Sequence, residues 1–209
     1  MLRRELTLGA IAALVVGCTA DKPAPTAFEV RVPLFVSNAG GNADINLGTH
    51  MTGAEEHFTA APGAPTPADS RAQGEAIFRV SADGNTVDFR LIASNIDNVI
   101  MSHIHCGPKD FNGPIRMWLY PVIGATGAPA ASGAGPHNGV LASGTFSPTG
   151  IVCPASAVGS NMALLDAMRA GLTYVNVHTK SHDVPVNTNN TGPGDFPGGE
   201  IRGQLDHGR

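Results

Sequence analysis

The chain has 209 residues, a formal net charge of −4 from 13 basic and 17 acidic side chains, and 42% hydrophobic residues. This length suits one domain that buries a hydrophobic core without help from a metal ion or a disulfide. The mildly acidic balance gives no support for a nucleic-acid partner, and the absence of βαβ alternation and of a nucleotide-binding glycine pattern argues against an α/β nucleotide-binding fold.

The first 17 residues are typical of a bacterial lipoprotein signal peptide. Two arginines precede an apolar run over residues 8–16, which is too short to span a membrane. The run ends in Leu14-Val15-Val16-Gly17-Cys18, which looks like a lipobox. We therefore predict that residues 1–17 are removed, that Cys18 is lipidated, and that the Pro/Ala-rich residues 18–27 form a tether. An ordinary secretory signal with a chance cysteine is the alternative.

These features predict an extracytoplasmic protein that a lipid anchors to a bacterial membrane, either at the outer membrane or on the periplasmic face. The remainder, residues 28–209, is predicted to be a single domain. It begins with Phe28 to Val36, which alternates as an edge strand does. Residues 75–81 and 86–94 alternate around the turn Ala82-Asp83-Gly84-Asn85, which predicts a β-hairpin.

The stretch from Val99 to Pro114 combines two histidines, a cysteine and a Gly/Pro-rich loop. Successive residues of a strand point to opposite faces, so His103 and His105 share one face, about 7 Å apart. Two imidazoles at this spacing can bind one metal ion. Cys106 falls on the opposite face, which argues against a His-His-Cys ligand set.

The next elements are a strand over residues 115–120, an exposed Gly/Ala/Pro/Ser-rich loop over 121–139 and a strand over 140–147. Residues 161–170 are predicted to form the one helix, with an Asn161 cap at its start and Gly171 as a left-handed cap at its end.

A later strand, Leu172 to Thr179, presents a third imidazole, His178, on the face that also carries Tyr174 and Asn176. A polar segment rich in Asn, Pro and Gly follows. The last strand carries a polar ladder on one face, which consists of Glu200, Arg202 and Gln204.

Two cysteines remain after removal of the signal peptide, Cys106 and Cys153. Outside the cytoplasm a disulfide is the default for such a pair. A free thiolate ligand at Cys106 is the alternative.

Several ordered motifs resemble the CHRD domain family, which is named after chordin. They are Ser102-His103-Ile104-His105 with Gly107-Pro108 and Asn112-Gly113-Pro114, then Tyr174-Val175-Asn176-Val177-His178-Thr179, then Gly198-Gly199-Glu200-Ile201-Arg202-Gly203-Gln204-Leu205. With Met51 to Glu56 and Glu75 to Phe78 added, the resemblance covers roughly residues 47–205. The family occurs in bacterial secreted proteins as well as in chordin and has no general reaction attached to it.

The predicted fold class is all-β, an antiparallel β-sandwich of about seven to nine strands, immunoglobulin-like or superoxide-dismutase-like, with one short helix in a connection. The His-Ile-His sequence on a sandwich strand also resembles the copper-binding His-x-His of the copper/zinc superoxide dismutases.

Three function classes fit these observations. In the favoured one the domain is a non-enzymatic binding module in which His103, His105 and His178 hold copper or zinc, with a protein partner that the sequence does not name. In the second it is a structural or adhesive surface domain, whose histidines hydrogen-bond the Glu200–Gln204 ladder. In the third it is a copper-dependent redox enzyme, which needs an open metal position and substrate steering. No catalytic residue is predicted.

Overall fold

Alternating apolar side chains build this domain from antiparallel strands. The computed structural model describes residues 45–60, 62–124, 135–180 and 191–207. The strands are β1 (Ile45–Thr52), β2 (Gln73–Val80), β3 (Val87–Asp97), β4 (Val99–Cys106), β5 (Ile115–Tyr120), β6 (Pro136–Phe146), β7 (Val152–Cys153), β8 (Met162–Ala163), β9 (Thr173–Thr179), β10 (Ile201–Gln204) and β11 (Asp206–His207). The helices are α1 (Ala155–Val158) and α2 (Leu164–Arg169), and 3-10 turns cover Gly53–Glu55 and Pro67–Asp69.

One large antiparallel sheet carries the fold. Its strand order is β5-β4-β9-β10-β1-β2-β3-β6, with β11 paired to β1, while β7 and β8 form a separate small sheet. The large sheet curls until its two edge strands, β5 and β6, approach each other, so that it is nearly closed into a barrel. The predicted all-β antiparallel class is confirmed. One continuous, curled sheet takes the place of the two facing sheets of a sandwich.

β2 and β3 form the predicted hairpin. Every second residue of β2 is buried, and Phe78 and Phe89 face each other across the pair with ring centroids 6.3 Å apart. Burial of each such side chain stabilises the fold by roughly 1.5–3 kcal/mol. The hairpin therefore supplies much of the barrel interior.

β4 and β9 differ from this pattern because they are buried on both faces; all seven residues of β9 are buried. Ile104, Val175 and Val177 belong to the hydrophobic core and so point into the barrel. The alternate residues, His103 and Asn176 among them, must then point outward. Their burial shows that loops cover the outer face of the sheet at this place.

The helical region departs from the prediction. Helix α2 begins at Leu164 rather than at residue 161, because Met162 and Ala163 pair with β7. Asn161 does not cap it, since its side-chain oxygen accepts a hydrogen bond from the backbone N–H of Ala155 in α1. The described residues contain two short helices, α1 and α2, whereas the sequence predicted one. Gly171 follows α2 with φ +68°, the left-handed conformation that was predicted for it.

β6 also begins earlier than predicted, at residue 136 instead of 140, because register shifts let it stay paired with the end of β3. The predicted signal peptide, the lipidation site Cys18, the tether over residues 18–27 and the strand over residues 28–36 lie outside the described residues. Within the described ranges, the helices are too short or too polar for any of them to traverse a bilayer.

Candidate metal centre

Three histidines converge on the outer face of the sheet. His103 and His105 lie on β4 and His178 lies on the neighbouring strand β9, and one nitrogen of each falls within 4.8 Å of the others. Their ring centroids are 4.9 Å (His103–His178), 5.4 Å (His103–His105) and 6.4 Å (His105–His178) apart. All three are buried. The predicted shared face of His103 and His105 is therefore present, with His178 beside it; we call these residues the triad.

Backbone carbonyl groups from two loops hold two of the imidazoles. His105 Nδ1 donates to the carbonyl oxygen of Gly113 at 2.8 Å, and His178 Nδ1 donates to that of Pro197 at 2.9 Å. A carbonyl oxygen only accepts hydrogen bonds, so each Nδ1 carries the proton and each Nε2 is unprotonated. In metal sites, hydrogen bonds of this kind orient the histidine ligands.

Several triad nitrogens have no hydrogen-bond partner. Both nitrogens of His103 and Nε2 of His105 are buried without a partner among the described residues. Leaving one buried polar group unsatisfied costs about 1–3 kcal/mol. A bound cation would satisfy two of these three groups, His105 Nε2 and one nitrogen of His103, since each imidazole offers one ligand atom.

Burial keeps the triad neutral. Desolvation lowers the pKa of His103 to about 3, with the neighbouring His178 and His105 adding to the effect. It also lowers the pKa of His105 to about 4 and that of His178 to about 4. At neutral pH the three imidazoles are unprotonated, the state that metal ligation requires.

Aromatic side chains pack against the triad. The ring of Trp118 on β5 lies nearly perpendicular to that of His103, with centroids 4.1 Å apart. Tyr174 stacks on His105 at 4.8 Å, and the Arg202 guanidinium lies 3.4 Å from the Tyr174 ring centroid. These rings limit how far His103 and His105 can move.

The polar ladder of the last strand anchors the two covering loops. Arg202 donates to the carbonyl oxygens of Pro108 and Phe111 and to the side-chain oxygen of Asn112, in the loop that presents Gly113. Glu200 accepts hydrogen bonds from Ser70, from Thr179 and from the backbone N–H of Gly194, in the segment that leads to Pro197. Gln204 donates to the carbonyl oxygens of Gly107 and Gly171. The hydrogen bonds expected between this ladder and the histidines are therefore replaced by bonds to the loops, because the loops lie between the ladder and solvent.

Cys106 and Cys153 form the predicted disulfide, with their Cα atoms 5.6 Å apart. The bridge joins the end of β4 to β7. Cys106 is consequently not a free thiolate, and it lies in the hydrophobic core rather than beside the triad.

Sequence reasoning did not single out Asn176, Glu56 and Trp118 as parts of this site. Asn176 shares the outer face with His178 two residues away, so strand alternation could have indicated it. Glu56 is distant in sequence, and only the tertiary fold brings it near. The exposed His50 instead bonds Glu75, at 2.7 Å, and stays outside the triad.

The CHRD domain model matches residues 47–184, which include the whole triad. The match ends before the Gly-Glu-Ile-Arg motif of the last strand. Comparisons with curated proteins and with solved structures gave no match.

Proposed function

The chain belongs to the CHRD domain family, and on that premise we propose that it is a non-enzymatic binding module that holds one copper or zinc ion between His103, His105 and His178. Neutral imidazole nitrogens are good ligands for both ions. The triad offers three of them from two adjacent strands, within 4.8 Å of one another.

The observation that carries this proposal is the pattern of hydrogen bonds within the triad. His105 and His178 each donate a hydrogen bond from Nδ1 to a loop carbonyl group. In contrast, His105 Nε2 and both nitrogens of His103 are buried and unpartnered in the described structure. A structural histidine has both polar atoms satisfied. A triad that served only the fold would leave this cost uncompensated.

The proposal includes the location of the module. A lipobox-like sequence before Cys18 supports attachment to a bacterial membrane by acyl chains. The Cys106–Cys153 disulfide supports an oxidising compartment outside the cytoplasm. In this proposal the membrane-anchored domain binds the metal ion beneath its covering loops and meets a protein partner of unspecified identity at the membrane surface.

Titration calorimetry of the protein with zinc and with copper(II) tests the metal site. We expect one ion per chain for the wild type and loss of most of the binding in the double variant His103→Ala/His178→Ala. The matched control is His137→Ala, because His137 lies on β6 outside the triad and should bind as the wild type does. If the wild type binds neither ion more tightly than the double variant, the histidines are structural and the proposal is wrong.

A further inference from the structure

Asn176 occupies the centre of the outer face that the triad shares. It lies on β9 between His103 on one neighbouring strand and Arg202 on the other, and it is 3% exposed. Its Oδ1 lies 3.0 Å from His178 Nε2.

Glu56 is the second hydrogen-bond partner of the Asn176 side chain. An amide has an oxygen that accepts and an NH₂ group that donates. The oxygen, Oδ1, is the end of the Asn176 amide that lies against His178 Nε2, and the Asn176 side chain is also hydrogen-bonded to Glu56. The NH₂ group therefore faces Glu56, and the oxygen faces the histidines.

In this orientation two hydrogen-bond acceptors, Asn176 Oδ1 and His178 Nε2, face each other. His178 Nε2 has no proton, because His178 Nδ1 carries it toward Pro197. A nitrogen lone pair thus faces an oxygen lone pair at 3.0 Å. Two ligands at the roughly 2.0–2.2 Å bond lengths of a tetrahedral zinc ion lie about 3.3 Å apart. The observed separation is therefore close to that of two ligands of one ion.

We infer that Asn176 Oδ1 is the fourth ligand of the metal ion and that Glu56 is the positioning residue that turns this oxygen toward it. The inference rests on the proposed function and deepens it, since it replaces an open three-histidine site by a closed site of three nitrogens and one oxygen. Closed four-ligand sites are typical of binding or structural metals. An amide oxygen suits a divalent ion such as zinc better than copper(I), which prefers soft ligands.

Two substitutions of Asn176 test the ligand role, with zinc affinity and the visible spectrum of bound cobalt(II) as readouts on the full protein. Asn176→Ala removes the oxygen, so zinc affinity should fall by at least about tenfold and the cobalt(II) spectrum should lose its four-coordinate form. Asn176→Asp is almost the same size and keeps an oxygen, so it should bind zinc at least as tightly as the wild type does and keep the four-coordinate spectrum.

Two substitutions of Glu56 test the positioning role. Glu56→Gln keeps an acceptor for the Asn176 amide and should preserve the zinc affinity and the cobalt(II) spectrum. Glu56→Leu removes the acceptor and should weaken zinc binding and change the spectrum. Glu55→Leu is the matched control, since the neighbouring Glu55 pairs with Lys109 at the surface, at 3.4 Å, and should leave both readouts unchanged.

The outcomes separate the two proposals. If Asn176→Ala binds zinc with wild-type affinity and an unchanged cobalt(II) spectrum, or if Asn176→Asp loses as much affinity as Asn176→Ala, the fourth-ligand inference is overturned while the triad remains a metal site. If Glu56→Leu keeps both wild-type readouts, Glu56 does not position the ligand. If His103→Ala/His178→Ala binds zinc as well as the wild type does, the proposed function itself fails.

Discussion

At the scale of single residues, the protonation state of the triad is decided by what surrounds it. Two loop carbonyl groups hold the Nδ1 protons of His105 and His178, and burial opposes protonation of all three rings. Where the unfolded chain takes up protons that the folded protein does not, the protein loses stability in acid. The triad thereby links the stability of the fold to pH.

We predict that the metal-free protein is most stable near pH 6.5. Below about 6.5, the ordinary histidine pKa, the unfolded chain takes up protons that the folded triad accepts only at about pH 3 to 4. The unfolding free energy therefore falls as the pH drops from about 6.5 to 4. Glu56 acts in the opposite direction: its pKa is raised to about 8, so the unfolded chain loses this proton first, and the stability falls as the pH rises from about 4.5 to 8.

Urea unfolding of the wild type and of His103→Gln between pH 4 and 8 measures both effects. The variant should show a shallower loss of stability on the acid side and the same loss on the alkaline side. Parallel curves on the acid side would show that His103 is not held neutral by the fold.

At the scale of elements, β10 organises the site although it contributes no triad histidine. Arg202 lies on it and Glu200 directly precedes it, and each anchors one of the loops that reach the triad. The loop before β5 also depends on Gly113, since a Cβ atom there would lie within 1.6 Å of the Cys106 carbonyl oxygen. The disulfide fixes the adjacent end of β4, and closing a loop of 47 residues stabilises the fold by about 4 kcal/mol in the chain-entropy model.

We predict that Arg202→Lys weakens zinc binding by roughly tenfold, the size of effect typical of residues that orient metal ligands. A lysine keeps the charge but cannot reproduce the planar set of hydrogen bonds to Pro108, Phe111 and Asn112. The loop that presents the Gly113 carbonyl should then loosen around His105. Calorimetric zinc titration measures the change, with the exposed Arg90→Lys as the control. Wild-type affinity in Arg202→Lys would refute this role of the loop.

At the scale of the whole molecule, the barrel keeps its hydrophobic core and the triad on opposite faces of one sheet. Its interior is apolar and closed, and the disulfide joins it from within. The triad lies on the outer face of the sheet, under the loops that supply the Gly113 and Pro197 carbonyl groups.

The proposed lipid anchor belongs to this scale as well. We predict that Cys18→Ser moves the protein from the membrane fraction to the soluble fraction, because the acyl chains are its only proposed attachment. The variant should keep the wild-type thermal unfolding midpoint, since the cysteine precedes the barrel strands. Detergent-phase partition measures the first effect. An unchanged partition of Cys18→Ser would contradict the lipoprotein prediction.

Strand periodicity and local turn residues were sufficient to predict the all-β class, the β2–β3 hairpin and the shared face of His103 and His105. These features depend on neighbours in sequence, and a side-chain period of two is readable without a fold. The helix start was wrong because pairing of Met162 with β7, a long-range contact, overrides local helix preference.

Only the tertiary structure decided which residues complete the site. The register of β4, β9 and β10 aligns His103, Asn176 and Arg202 across three strands, and two loops from distant parts of the chain supply Gly113 and Pro197. Strand order and register arise from the packing of the whole barrel, which no local pattern encodes. The sequence by itself determined that three imidazoles are presented on strands; the pairing and register of β4 with β9 determined that they meet, unprotonated and partly unpartnered, beside Asn176 and Glu56.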